Sequence, residues 1–505
     1  MFLDIFSTLY NENIIVYFVF YCYTINYNRM ENSKVFNVLV VLTKWERRGL
    51  EKFMQSPYFN HQEEVAMLYR MLNECIDKDI SFPKKEMIYK KLHPKQPYND
   101  QQFRLYMSYL FKTIEKYLIV EQVEDDTFLQ KLKLMGAYNQ HNHHKNFHKT
   151  YEDAAKLLEQ YPYKNSHYYK SYYDIEIERY NEKRNLSRTA EYNFQLLTSN
   201  FDIYFITEKL KQGCILVSHE QVHQVKYDYG MFDVVLNHVE QNNLLDIPAV
   251  AIYYYIYQTL KFADKQENFE KLLTLINTNL NLFPKMEARD ILIYANNYCI
   301  KMNNMGVDGY ARKSFDVNKI GIESGAFLEK GFLSRFTYKN IVTVGIRLKE
   351  YKWTEKFIEQ YKGLLEEKYQ ESTYAYNKAF LEYERKNYAA AIKLLQKADY
   401  DDLLLNLSAK NILMKIYYEL DYIEPLEYLI GSILALLKRK KLEQVYKNNY
   451  INIAKLTRRL ISLKTLTNTQ RRQLVKKKEI THKIISETNP CFEKKWLLEQ
   501  LEKIK

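Results

Sequence analysis

The chain has 505 residues, a formal net charge of +12 and 47% apolar residues, so it can fold around an extensive core. Only 12 glycines and 9 prolines are present, and this scarcity of helix breakers favours long helices over sheets. Five widely spaced cysteines without a CxxC pair argue against a disulfide framework and favour the reducing cytoplasm. We therefore expect an all-α, cytoplasmic protein, and neither a disordered chain nor a disulfide-rich one.

An apolar run from Ile14 to Ile25 stands near the start of the sequence. Twelve helical residues rise only about 18 Å, short of the roughly 30 Å hydrocarbon core of a bilayer. No Lys or Arg precedes the run and no small-residue cleavage site follows it, so a secretory signal fits poorly. We expect residues 1–29 to be an upstream extension before a natural start at Met30, without a membrane span. The alternative is a short membrane anchor.

Residues 30–125 are predicted to form an N-terminal helical domain. A helix capped by Asp100 is expected, because apolar residues recur after it at helical spacing. These residues are Phe103, Met107, Leu110, Ile114, Tyr117 and Leu118. A second interpretation is a degenerate helix-turn-helix over 84–112, with Gln101, Gln102 and Arg104 at the start of a DNA-recognition helix. The acidic stretch 120–126 that follows argues against phosphate contacts there.

Residues 126–437 read as a series of helix pairs. Segments 151–162, 268–284 and 352–367 share one pattern, in which an aromatic residue is followed by polar residues and then by paired aliphatics. The strongest self-similarity joins residues 34 positions apart, such as Asn377 with Asn411 and Tyr383 with Tyr417. Units that each leave one apolar face bare must stack on their neighbours to bury it, so we expect a repeat array.

The segment NYAAAIKLLQKA (387–398) resembles the second half of a tetratricopeptide (TPR) motif, with Tyr388 closing the turn and Ala391 as the small contact residue. The 34-residue offset equals the length of a TPR unit. The resemblance is clear over 372–437 and looser upstream, and it implies an irregular TPR-like α-solenoid. The overall layout also resembles an uncharacterised helical-repeat family of AT-rich bacteria, which implies no activity.

In TPR proteins the first helix of each pair lines a groove that binds a partner. The resemblance places six residues in that groove: Tyr376, Asn377, Phe380, Lys410, Asn411 and Met414. Aromatic and Met side chains offer adaptable contact area, while Asn and Lys can bind a peptide backbone or carboxylate. The competing interpretation is that aromatic residues at helical spacing belong to the core. The expected partner is a protein or peptide.

Two histidine motifs suggest metals. In HEQVH (219–223), His219 and His223 would bind zinc and Glu220 would act as general base, with His238 or Glu240 as third ligand. The competing interpretation is an incidental helix end. A second group, His141, His144 and His148, is expected to lie in a solvated turn between helices. We therefore expect no catalytic residue, no metal and no cofactor.

Residues 438–505 are predicted to form basic C-terminal helices that cap the array. Between Lys438 and Lys478 the chain carries 14 Lys and Arg residues and a single acidic residue, Glu443. The candidate basic patch comprises Lys447, Lys455, Arg458, Arg459, Arg471 and Arg472. Such a face either binds phosphates or an acidic protein, or is simply solvated.

The sequence thus supports three hypotheses. The first is a non-enzymatic protein–protein interaction scaffold or adaptor built from TPR-like helix pairs. The alternative is a nucleic-acid-associated regulator that uses the basic C-terminal helices. A remote third is a zinc hydrolase acting through HEQVH.

Overall fold

The computed structural model describes residues 33–186, 192–223, 225–397, 402–466 and 474–504. These residues form 23 α-helices and one two-stranded hairpin, which confirms the all-α class. The segment 1–29 lies outside the described residues. Each described helix is too short or too polar to cross a bilayer. The chain divides into two compact units, one ending at Phe262 and one beginning at Ala263, a boundary inside the predicted array 126–437.

The first unit contains eleven of the described helices. They are α1 Lys34–Leu39, α2 Lys44–Gln55, α3 Glu63–Asp77, α4 Lys85–Leu92, α5 Asp100–Glu124, α6 Thr127–Gln140, α7 His144–Glu159, α8 Ser166–Leu186, α9 Phe194–His223, α10 Phe232–Gln241 and α11 Pro248–Lys261.

The second unit contains the other twelve described helices and the hairpin. The helices are α12 Gln266–Asn279, α13 Lys285–Asn304, α14 Tyr310–Glu323, α15 Arg335–Arg347, α16 Tyr351–Tyr361, α17 Glu367–Glu384, α18 Tyr388–Lys397, α19 Leu403–Glu419, α20 Ile423–Arg439, α21 Gln444–Lys464, α22 Leu474–Glu487 and α23 Lys494–Lys503. Strands β1 Leu328–Glu329 and β2 Phe332–Leu333 pair antiparallel between α14 and α15.

Helices α1 to α5 share one apolar core in the first unit. The predicted helix is confirmed as α5, but Asn99 and not Asp100 caps it, by accepting a hydrogen bond from the Gln102 amide at 3.1 Å. Of its predicted apolar face, Phe103, Leu110, Ile114 and Tyr117 are buried, and Met107 and Leu118 are partly buried. The 3.6-residue pattern in the sequence therefore identified the buried face of this helix.

Long helices follow in the rest of the first unit, where α8 packs on α7 and α9, and α9 packs on α11. Pro248 stands at the first position of α11, where the missing N–H of proline costs no helical hydrogen bond. A Cβ atom at Gly213 of α9 would overlap the buried ring of Phe232, so the close approach of α9 and α10 requires glycine.

Helix pairs repeat in the second unit. The first helices α15, α17, α19 and α21 pack each against the next, and α16, α18 and α20 pack against both flanking first helices. Each pair α15/α16, α17/α18 and α19/α20 turns at one left-handed residue: Lys349, Lys386 and Asp421. In every turn the N–H of the following residue donates to a carbonyl five positions earlier, the hydrogen bond of a Schellman motif.

These turns set the alignment of the last two pairs at 35 residues, since Lys386 and Asp421 are structurally equivalent. The 34-residue sequence offset is therefore one residue short. Near the turns, burial agrees with the longer offset: Tyr383 corresponds to the buried Tyr418, and Tyr417 is only half-buried. The two offsets differ because the position of the turn and the buried face of the helix determine which residues are structurally equivalent. Residue identity alone does not determine this.

Candidate partner-binding surface

The predicted groove residues of α17 are mostly enclosed. Asn377 is fully buried, and its amide donates to the Thr373 carbonyl at 2.8 Å within the same helix. Tyr376 is 7% exposed, and Phe380 is half-buried. Of these three, only Phe380 keeps a substantial surface that a partner can touch.

The predicted groove residues of α19 contact other parts of the second unit. Met414 lies in the core, and the buried Asn411 donates to Glu493 Oε1 at 2.7 Å. Lys415, one turn further on, places its ammonium 3.0 Å from the other oxygen of the same carboxylate. Lys410 is half-buried and lies 3.3 Å from the Ser432 hydroxyl. An Asn and a Lys of α19 thus do bind a carboxylate, but it belongs to this chain.

Asn377, Asn411 and Met414 are enclosed between helices, so the six predicted residues do not form one exposed surface. Partner binding by this set stays a prediction. A different set of side chains, all partly exposed except the buried Tyr376, lies along α15 and α17 and at the cap of α19. We call it the cationic strip: Arg335, Lys339, Tyr369, Tyr376 and Asp402.

Helix caps position the cationic strip. Ser334 caps α15 by accepting from the Phe336 amide at 3.3 Å. Asp402 caps α19 by accepting from the Leu405 amide at 2.8 Å, and its carboxylate also lies 3.1 Å from the Arg335 guanidinium. The Asp402 carboxylate therefore both orients Arg335, the first residue of α15, and caps α19.

Two cations of α15 stand over two tyrosine rings of α17. The Arg335 guanidinium lies 4.1 Å from the centroid of Tyr369, and the Lys339 ammonium lies 5.1 Å from the centroid of Tyr376. Both separations are within the range of cation–π attraction. Because the two tyrosines are seven residues apart, they lie on the same side of α17.

Lys339 is the cation of the strip that has no ion-pair partner among the described residues, whereas Arg335 pairs with Asp402. Burial lowers the pKa of Lys339, and the negative charge of Asp402 opposes this shift. Part of the side chain still reaches solvent. The Lys339 ammonium has thus lost part of its hydration without gaining an ion-pair partner among the described residues. A carboxylate from a partner would compensate for this loss.

Arg335 and Lys339 were missed in the sequence because they precede the stretch 372–437 that resembles TPR. The available signal was the alternation of cations and aromatics in RFTYK, from Arg335 to Lys339. That signal is weak, since Tyr338 of the same stretch is fully buried.

The predicted basic patch is divided in the structure. Arg458 donates to Glu427 at 2.8 Å and Arg459 to the Thr481 hydroxyl at 2.9 Å, while Lys455 is exposed and Lys447 is half-buried. Arg471 and Arg472 lie outside the described residues. Four other cations are exposed side by side where α20 ends: Lys438, Arg439, Lys440 and Lys441.

HEQVH forms the C-terminal end of α9. Glu220 accepts hydrogen bonds from the Tyr227 amide and the Tyr229 hydroxyl, both at 2.9 Å, and the first of these lowers the pKa of Glu220. The Tyr227 hydroxyl also lies 2.9 Å from His219 Nδ1, and the rings of His219 and His223 stack at 4.1 Å. These contacts hold residues 227–229 against the helix end.

The suggested third ligands have other partners. Glu240 accepts from the Tyr254 hydroxyl at 2.6 Å, and His238 Nδ1 lies 3.2 Å from the Asn242 amide. Within the described ranges, no three His, Cys, Asp or Glu side chains are grouped so that they could hold a metal ion.

His144 and His148 are not in a solvated turn, contrary to expectation. They occupy the first turns of α7 and approach a carboxylate of α8: His144 Nδ1 lies 2.9 Å and His148 Nε2 3.5 Å from Glu182 Oε1. Glu182 is 1% exposed. A buried carboxylate needs such donors, so it draws α7 towards α8, while His141 caps the end of α6 in the expected turn.

One of the three residues proposed for DNA recognition, Gln102, is hydrogen-bonded within the protein. The Gln102 side chain accepts from the Tyr89 hydroxyl at 2.6 Å and donates to the Tyr106 hydroxyl at 2.9 Å. Arg104 pairs with Asp100 of its own helix at 2.7 Å. Only Gln101 of the three is exposed without such a contact.

Comparison of the chain with protein-family models, with curated proteins and with solved structures gives no match. The TPR-like resemblance, and any function that it implies, therefore stays a prediction.

Proposed function

We propose that this protein is a non-enzymatic, cytoplasmic scaffold that binds a segment of a partner protein along the first helices of TPR-like pairs in its second unit. The observation that carries the proposal is the cationic strip, in which the partly exposed Lys339 lies over the buried ring of Tyr376 without an ion-pair partner among the described residues. Aromatic side chains packed beside a partly desolvated cation are typical of peptide-binding surfaces.

The packing of the second unit supports the proposal. Helices α15, α17 and α19 pack each against the next, so Arg335 of α15 contacts both Tyr369 of α17 and Asp402 at the cap of α19. Repeated helix pairs present extended binding surfaces in this way. The four described cysteines are free and buried, which suits a reducing compartment.

The proposal predicts that peptides selected from a random display library against the full chain bind saturably. Their hydrogen-exchange footprint should fall on α15 and α17, because bound backbone slows the opening of the helices beneath it. A library that yields no binding peptide would refute the scaffold function. A footprint confined to the first unit would refute its location.

A second candidate function is association with nucleic acid, favoured by the four adjacent exposed cations at 438–441. The single acidic residue close by in the sequence is Glu443. Clustered Lys and Arg side chains bind phosphates by releasing condensed counterions.

If this patch binds nucleic acid, replacing its four cations by Gln should weaken binding and flatten the slope of log affinity against log salt by roughly 3–4. Affinity for duplex and single-stranded DNA would be titrated between about 50 and 200 mM salt. Arg458→Gln serves as control because its guanidinium already pairs with Glu427. Equal slopes for the wild type and the fourfold variant would eliminate this candidate.

A further inference from the structure

We infer that the cationic strip is a docking site for an acidic partner segment, with one carboxylate on Lys339 and a second, two residues along an extended chain, facing Arg335. The inference rests on the proposed scaffold function and specifies its partner. Its basis is charge complementarity, together with the spacing of the two cations.

Among the described residues of the strip, Lys339 carries the positive charge that no acidic side chain offsets by an ion pair. Asp402 offsets Arg335 at 3.1 Å. The neighbouring Lys368, whose ammonium lies 4.6 Å from the Tyr369 ring, is offset by Glu366 at 3.4 Å. Among the described residues, Lys339 is therefore the one ammonium of the strip without an ion-pair partner, and charge complementarity favours an acidic segment.

Desolvation adds to the preference for an anion. Burial lowers the pKa of Lys339, so the charged ammonium is less stable here than in water. A carboxylate at ion-pair distance favours the charged form again. Neutral or basic segments bring no such compensation, and a basic segment adds repulsion.

The spacing of the cations selects the spacing of the acids. Arg335 and Lys339 are four residues apart on α15, so their side chains project from neighbouring turns about 6 Å apart. An extended peptide presents every second side chain on one side, about 6.6 Å apart. Two acidic residues separated by one residue match this distance.

Arg335 can take part although it is already paired. A guanidinium carries five N–H donors, and Arg335 Nη2 contacts Asp402 Oδ2. A second carboxylate can approach the remaining donors. The half-buried ring of Tyr369, under the Arg335 guanidinium, supplies aromatic surface for the neighbouring residue of the segment.

The test uses the full chain and fluorescent synthetic peptides of one composition, measured by anisotropy. One peptide alternates Glu with neutral residues, a second has the same Glu residues adjacent, and a third has Gln in place of Glu. We expect the alternating peptide to bind tightest, and Lys339→Gln to weaken it about tenfold or more. Lys339→Arg should retain most of the binding.

Lys368→Gln is the matched control, because its ammonium is paired with Glu366; it should change affinity less than about twofold. Thermal melting checks that Lys339→Gln folds like the wild type. Equal binding of the Glu and Gln peptides, or an unchanged affinity in Lys339→Gln, would overturn the inference. Equal binding of the two Glu peptides would overturn the spacing.

Failure of this inference is distinguishable from failure of the scaffold function. Library-selected peptides that bind α15 and α17 without acidic residues would leave the scaffold standing and refute the acidic segment. A library without any binding peptide, together with no binding of the Glu peptides, would refute both.

Discussion

Replacing Glu419 by Ala is expected to lower the free energy of unfolding by about 3–5 kcal/mol. Glu419 ends α19 and accepts hydrogen bonds from the Tyr383 hydroxyl at 2.6 Å, Trp496 Nε1 at 2.9 Å, the Lys386 ammonium at 3.1 Å and the Tyr388 hydroxyl. Its side chain is 9% exposed. The substitution leaves donors from α17, α18 and α23 without their acceptor, and urea unfolding followed by circular dichroism measures the loss.

The contribution of Glu419 should depend on pH. Burial alone would raise its pKa, but hydrogen bonds from Tyr383, Tyr388, Trp496 and Lys386 lower it from the ordinary 4.5 to about 2. Because the folded-state pKa lies below the unfolded one, the stabilisation is complete above about pH 4.5 and is lost as the pH falls towards 2. The stability difference between the wild type and Glu419→Gln should therefore shrink over that interval.

Glu427→Ala is the control for this prediction. Glu427 pairs with Arg458, but both side chains are more than 40% exposed, so the change should stay below about 1 kcal/mol. An unfolding midpoint of Glu419→Ala equal to that of Glu427→Ala would show that the carboxylate does not tie the C-terminal helix to the helix pairs.

Helices could be predicted from the sequence because their signal is local. Glycine and proline are scarce, and apolar residues recur at 3.6-residue spacing, as they do from Phe103 to Leu118 of α5. Asp100 was expected to cap α5, but Asn99 is the cap and Asp100 is the first helical residue, a shift of one position.

The 35-residue alignment of the last pairs was not predictable from residue identity. Two of the three left-handed turn positions are lysines, Lys349 and Lys386, which give no turn signal. Asp421 is of a type that tolerates this conformation, but glycine would have marked the position more clearly. Sequence similarity instead favoured the match of Tyr383 with Tyr417. The buried equivalent, Tyr418, is the next residue.

The candidate site was only partly predictable because long-range partners decide which side chains stay free. Asn411 was assigned to a groove, but Glu493, 82 residues away, accepts its hydrogen bond. Arg458 was assigned to a basic patch, but Glu427 of α20 pairs with it. Lys339, by contrast, was overlooked because a single lysine among aromatic residues has no distinctive spacing.

Replacing Arg47 by Met is expected to destabilise the first unit by about 3 kcal/mol. In the sequence Arg47 is one of several basic residues after the apolar run, yet it is 8% exposed. Its guanidinium donates to Asp77 Oδ1 and the Leu42 carbonyl at 2.6 Å, and to Asn73 Oδ1 at 2.8 Å. Met keeps the apolar stem, so the loss reports the polar contacts that join α2 to α3.

The same substitution at an exposed position separates these contacts from a general effect of charge. Arg70, also within the first unit, lies 3.5 Å from Glu51, with side chains 53% and 39% exposed. Arg70→Met should change the free energy of unfolding by less than about 1 kcal/mol. Urea unfolding of both variants measures the difference, and equal midpoints would contradict the prediction. A large loss in Arg47→Met alone is expected, because only its removal leaves a partly buried Asp77 carboxylate without a cation.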